Sequence, residues 1–159
     1  MNDIIYLKKY AVNYLSKYNT SKGNLERILK KKISRMNIEK AQKFNLYNSI
    51  TLIIKELELK KIINESNYTY SIILNYSLRG KSKKYIISYL LKKGVNNSDI
   101  NNEMEKFENQ NPYWEDESVK IYIKKKRISL NDNENKEKNI AKMIRAGFNY
   151  DTIKKNLEI

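Results

Sequence analysis

Neither histidine nor cysteine occurs in the 159 residues, and proline occurs once and glycine four times. Without histidine the chain lacks the usual proton shuttle near neutral pH, and without cysteine it has no disulfide, no thiol nucleophile and no thiolate zinc site. The absence of cysteine fits a reducing cytoplasm. So few glycines and prolines leave little punctuation for hairpins, so an all-α fold is predicted. No apolar run approaches the roughly 18 residues of a membrane span, and MNDIIYLKKY at the start lacks the long apolar core of a signal peptide. A cytoplasmic protein with no membrane partner is expected. There is no GxxxxGK[ST] or GxGxxG phosphate loop. The carboxylates cluster in an acidic interval between Asn96 and Ser118 without a metal-binding pattern, and are expected to be solvated faces. No catalytic residue, metal or cofactor is therefore assigned, and a binding module is favoured over an enzyme.

What is abundant is positive charge. Lys and Arg number 32 against 18 Asp and Glu, giving a net charge of +14 and an isoelectric point near 9.7. Such a balance implies an acidic partner, most often nucleic acid. An AT-rich genome would also enrich Lys, Ile, Asn and Tyr without altering the fold, so charge by itself favours nucleic acid only modestly.

The stretch Arg79 to Val95, RGKSKKYIISYLLKKGV, has the clearest local design. Gly80 breaks the preceding helix and Ser82 is placed to cap the next. Ile86, Ile87, Leu90 and Leu91 share one face. Gly94 is placed as a left-handed stop, with Val95 touching Leu90 beyond it. Arg79, Lys81, Lys83, Lys84, Lys92 and Lys93 crowd its two ends, and it holds no acid.

The same pattern returns 53 residues later. Ile87, Leu90, Leu91, Gly94, Val95, Asn96, Ile100 and Met104 match Ile140, Met143, Ile144, Gly147, Phe148, Asn149, Ile153 and Leu157. A fainter copy has Leu25, Ile28, Leu29 and Ile33 standing 62 residues before Ile87, Leu90, Leu91 and Val95. Lys32 replaces the glycine there, so that helix is expected to end differently. Units too small to bury their own faces point to a helical repeat protein. The expected architecture is an elongated, curved stack of three tandem three-helix repeats, at 1–60, 61–110 and 111–159. The length allows a few such units around a modest core.

In chain order, Ile4, Leu7, Ala11, Tyr14, Leu15 and Tyr18 form the first predicted stripe, and residues 19–21 break and recap. A basic helix over about 22–35 follows, then one over about 38–59 with Phe44, Tyr47, Ile50, Ile54 and Leu57 as its core face. The middle repeat opens near Asn64 with Tyr68, Ile72, Ile73 and Tyr76. It closes with a helix capped by Asn96 or Asn97 and lined by Ile100, Met104 and Phe107. Between Asn96 and Ser118 the charge reverses, with Asp99, Glu103, Glu105, Glu108, Glu115, Asp116 and Glu117 against Lys106 alone. Pro112 marks the break inside this interval. Tyr113 and Trp114 are expected to staple the following repeat to the previous one rather than stack on a base. Val119, Ile123 and Tyr122 are expected inside, Lys120 and Lys124 to Arg127 outside, and 131–138 in a polar loop.

These residues resemble the RecX family, the bacterial regulators of the RecA recombinase. The family's R-G-x-S-x-x-x-I-x-x-x-L-x-x-K-G-V segment is matched by Arg79, Gly80, Ser82, Ile86, Leu90, Lys93, Gly94 and Val95. Its G-F-x-Y-D-x-I-x-x-x-L ending is matched by Gly147, Phe148, Tyr150, Asp151, Ile153 and Leu157. YAVNYLSKYNTSKGNLERILKKK, from Tyr10 to Lys32, is similar to the family's opening pair of helices. The similarity covers nearly the whole chain in the right order. Most family arginines are lysines here, which lack the planar bidentate fork.

The resemblance implies a non-enzymatic, monomeric regulator that binds the RecA filament on single-stranded DNA and mainly inhibits its recombinase, ATPase and co-protease activities in DNA repair and the SOS response. Double-stranded DNA is the further open partner. The candidate contacts to DNA and filament are Arg27, Lys30 and Lys31; Arg79, Lys81, Lys83, Lys84, Lys92 and Lys93; Lys124, Lys125, Lys126 and Arg127; and Arg145, Lys154 and Lys155. Lysines of this kind read phosphate by charge, so little sequence preference and a steep salt dependence are expected. Composition alone supports a general basic helical nucleic-acid-binding protein without a recombinase partner. A base-reading recognition helix is disfavoured, because these helices offer chiefly lysine.

Overall fold

The computed structural model describes residues 3–128 and 135–157. Within them lie nine α-helices and no strand: α1 (Asp3–Leu15), α2 (Lys22–Ser34), α3 (Lys40–Leu59), α4 (Glu65–Ser77), α5 (Lys83–Lys92), α6 (Asn97–Gln110), α7 (Trp114–Lys126), α8 (Lys136–Arg145) and α9 (Tyr150–Leu157). The chain divides into two compact units, Met1–Tyr68 with Lys93–Val95, and Thr69–Lys92 with Asn96–Ile159.

In the first unit α3 packs on α2 and α1. The core is Leu7 and Ala11 from α1, Leu25, Leu29 and Ile33 from α2, Leu46, Ile50, Ile53 and Leu57 from α3, and Ile63. The expected α3 face is corrected at Phe44 alone, while Tyr47 and Ile54 pack partly buried against the core. Ile50 and Leu57 are buried, but Phe44 is 65% exposed, and Leu46 and Ile53 take the inner positions. Apolar residues occur on more than one side of α3, and only its packing against two helices selects the face. Ile4 in the first turn of α1 and Tyr18 beyond its end are likewise exposed. The helix α2 ends on Arg35 in ordinary right-handed geometry, as the lysine in place of glycine predicted.

In the second unit Phe107 and Trp114 meet edge to face at 5.6 Å, while Tyr113 is exposed. Val119, Ile128, Met143, Phe148 and Ile153 form a second cluster, with Tyr122 and Ile123 partly buried against it. Gly80 closes α4 at φ 72°. The Lys81 amide reaches the Tyr76 carbonyl at 3.0 Å and the Gly80 amide reaches Ser77 at 2.9 Å, the paired bonds of a left-handed helix stop. The polar loop expected at 131–138 is corrected in part. Residues 136–138 form the first turn of α8, and 131–134 lie outside the described residues.

One joint occurs once in each unit. In the first, the Ser21 hydroxyl caps α2 by accepting from the Asn24 amide at 3.1 Å and donates to the Lys93 carbonyl. In the second, the Ser82 hydroxyl accepts from the Tyr85 amide at 3.2 Å and donates to the Ala146 carbonyl at 2.7 Å. Each carbonyl precedes a left-handed glycine, Gly94 at φ 79° and Gly147 at φ 95°. A serine therefore satisfies a free amide at the start of one helix and a free carbonyl at the end of another. Ser21 and Ser82 stand 61 residues apart, and so do the buried pairs Leu25 with Ile86 and Leu29 with Leu90. The sequence offset of 62 misses this register by one residue, because it set buried Leu29 against Leu91, which is 43% exposed.

Candidate nucleic-acid interface

The basic side chains follow from these helices. In the first unit, α2 buries Leu25, Leu29 and Ile33, which leaves Arg27, Lys30 and Lys31 exposed between them. Lys30 pairs with Glu26 at 2.6 Å, one helical turn away. The Lys32 ammonium lies 5.2 Å from the Tyr6 ring and 5.0 Å from the Tyr10 ring. Lys93, half-buried, enters this unit through its carbonyl on Ser21.

In the second unit, Lys84 and Lys92 are exposed on α5, and Lys81 and Lys83 are half-buried at its start. Lys124, Lys125, Lys126 and Arg127 stand exposed at the end of α7, as expected. Arg145, Lys154 and Lys155 are also exposed. Not all of these cations are equally available. Lys83 pairs with Glu108 at 2.6 Å, Lys155 with Asp116, and the Lys125 ammonium donates to the Arg79 carbonyl at 3.0 Å.

Of the interval acids expected to be solvated, Glu105 and Glu117 are exposed, and the expectation is corrected at Glu103. Glu103 is 6% exposed and pairs with Lys106 at 2.7 Å. Glu65 is buried and accepts from the Lys22 amide at 2.7 Å, which supplies a partner at the first turn of α2. The ammonium of Lys155 and the Asn156 amide hold the Asp116 carboxyl below its ordinary range. Burial raises Glu115, with the Glu108 and Asp116 charges adding to it, against the Lys83 amide and ammonium.

The two carboxyls therefore contribute oppositely with pH. The ion pair of Asp116 stabilises above the ordinary carboxylate range and is lost as pH falls through its lowered value. Glu115 destabilises once ionised, and protonation relieves that as pH falls through its raised value. Glu115→Gln retains an acceptor for the Lys83 amide, so it is expected to stabilise modestly at pH 7, where Glu115 is ionised. Urea midpoints of the two proteins should converge in acid below the carboxylate range, and a variant less stable at neutral pH contradicts this reading.

Sequence reasoning missed a tyrosine cluster beside this basic segment. Tyr76 meets Tyr85 at 5.7 Å and Tyr89 at 4.8 Å, both edge to face. The Arg79 guanidinium lies 5.8 Å from the Tyr76 ring, and the Lys81 ammonium 4.3 Å from the Tyr85 ring. Burial pushes the Tyr76 phenol up to about 12, helped by its hydrogen bond with Tyr89 and by the neighbouring phenols, while Arg79 pulls the other way. The available signal was Tyr85 and Tyr89 at helical i, i+4 spacing, directly after two cations.

Among the described residues, no cluster of acidic side chains is placed to hold a metal. None of the described helices is long and apolar enough to cross a membrane. The arrangement presents cations and aromatic rings, the elements of polyanion binding. No family model matches the chain, and no solved structure matches it. Among curated proteins, the chain is similar to "Regulatory protein RecX" of Myxococcus xanthus (strain DK1622), at 22% identity over 160 residues, covering 96% of this chain and 84% of that protein. Shared identity over nearly the full length, together with the Arg79 to Val95 and Gly147 to Leu157 motifs, supports placing the chain in the RecX family.

Proposed function

We propose that this chain is a non-enzymatic regulator that binds the RecA filament on single-stranded DNA and mainly inhibits its ATPase, recombinase and co-protease activities. The observation that carries the proposal is the RecX likeness over 96% of the chain. The charge of +14 is consistent with a partner that includes DNA. Arg27, Lys31, Lys84, Lys92, Lys124, Lys126, Arg127, Arg145 and Lys154 are the proposed phosphate and filament contacts. Lys30, Lys83 and Lys155 already neutralise acids of their own chain. Exposed pairs such as Lys30 with Glu26 contribute only about 0–1 kcal/mol, so a polyphosphate can compete for them.

Three tandem repeats belong to the same proposal. The recurrence of the serine and glycine joint at Ser21 and Ser82 supports it, since repeat proteins reuse one interface. A monomer acting in the cytoplasm in DNA repair and the SOS response completes the reading.

The test is the single-stranded-DNA-dependent ATPase of the host's RecA on preassembled filaments, titrated with this protein. The rate is expected to fall at amounts well below one per recombinase subunit. A rate that stays constant when all the DNA could be coated rejects the regulator reading. A general nucleic-acid binder is then the better account.

A further inference from the structure

We infer that the Tyr76, Tyr85 and Tyr89 cluster, with Arg79 and Lys81, is a stacking ledge for an unpaired base of a single-stranded nucleic acid, with Tyr85 the ring that receives it. This rests on reading the chain as a single-strand binder and assigns a place for the strand. Proteins that hold single strands without sequence preference pair aromatic faces with cations that track the backbone. Here five such groups are contributed by one continuous segment, from the last turns of α4 through the first turns of α5.

Three observations support the assignment. First, Tyr85 is 40% exposed at the edge of the aromatic cluster, where it packs on Tyr76. Its ring is braced by Tyr76 at 81° between planes, so little side-chain freedom is lost when a base arrives. Second, the Lys81 ammonium already lies 4.3 Å from the Tyr85 ring. A cation over an aromatic ring keeps its charge while staying within reach of a phosphate linked to a base on the same ring. Third, the Arg79 guanidinium lies 5.8 Å from the Tyr76 ring and sets a second cation beside the cluster, within reach of the backbone of a bound strand.

The core of α5 does not call for aromatic rings at these positions. Ile86 and Leu90 supply its buried face. Tyr85 and Tyr89 lie beside that face and are left partly open. Tyr89 has a structural use in its bond to Tyr76, but at Tyr85 a purely packing role would be served as well by leucine.

The test compares binding of a fluorescent oligothymidylate with an abasic strand of the same length, which keeps the phosphates and removes the bases. Wild type is expected to prefer the oligothymidylate. Tyr85→Leu is expected to lose about tenfold or more on it, with no change on the abasic strand and no change in salt slope. Tyr85→Phe keeps a ring for the base and for Lys81, and should retain wild-type affinity. An equal loss on both strands, or no loss on either, overturns the ledge while leaving the regulator reading intact. Wild type that binds neither strand overturns the DNA-binding reading itself, and the ledge with it.

Discussion

Alanine at Gly94 is expected to destabilise the first unit by about 3 kcal/mol, from two independent causes. Gly94 has φ 79°, where an L-residue with a Cβ is strained by about 1–2 kcal/mol. A Cβ there would also stand 3.0 Å from the Cα of Gly23, which is backbone and cannot rotate away. Forced overpacking of this kind costs about 1–3 kcal/mol. Gly23→Ala separates the causes, because Gly23 has no positive φ, yet its Cβ would meet the Gly94 carbonyl oxygen at 2.6 Å. It should suffer the clash alone, partly offset by alanine's advantage of about 1 kcal/mol within a helix. Urea denaturation of both variants is the measurement. A Gly94→Ala cost under about 1 kcal/mol contradicts the close approach of the two glycines. Gly147 offers a parallel case, since a Cβ there would stand 2.5 Å from the Ser82 oxygen and compete with the hydroxyl that holds Ala146.

The parts of this fold that are legible in the sequence are those written locally. Ser82, Gly80, Gly94 and Gly147 each fix a helix end through neighbours within a few residues, and the structure places all four at helix ends. The α3 stripe is borne out at Tyr47, Ile50, Ile54 and Leu57 and overturned at Phe44, for the opposite reason. Phe44 and Leu46 are both apolar and both fit a helical period, and the choice is made by α1 and α2, far away in sequence. The candidate site shows the same division. That Lys124 to Arg127 would be exposed was readable from the end of α7, whereas the engagement of Lys83 by Glu108 depends on a partner 25 residues away. Burial of Glu65 against the Lys22 amide spans 43 residues. The tyrosine cluster lay between these cases. Its spacing was local, but the cation over the Tyr85 ring depends on how the chain turns at Gly80.

Reversing Lys84, Lys92, Lys124 and Lys126 together to glutamate is expected to weaken single-stranded DNA binding on the order of 100-fold at about 0.1 M salt. These four are exposed, and the set omits Lys83 and Lys155, whose reversal would set new glutamates against Glu108 and Asp116. Four reversals lower the net charge by eight, from +14 to +6. If each lysine meets one phosphate, each reversal removes about 0.7 from the slope of log affinity against log salt, or about 3 in total. Most of the cost in stability should come from Lys92, Lys124 and Lys126, which lie near helix C-termini and each lose about 0.3–1 kcal/mol of dipole interaction. Lys84 lies in the first turn of α5, where glutamate is favoured. Thermal melts should therefore show a folded variant, and the matching glutamine set should lower the slope with a smaller loss of affinity. A folded glutamate variant with unchanged affinity and slope would mean that these lysines are only a solvated surface. DNA would then have to meet the chain elsewhere, with Arg27 and Lys31 on α2 the next positions to reverse.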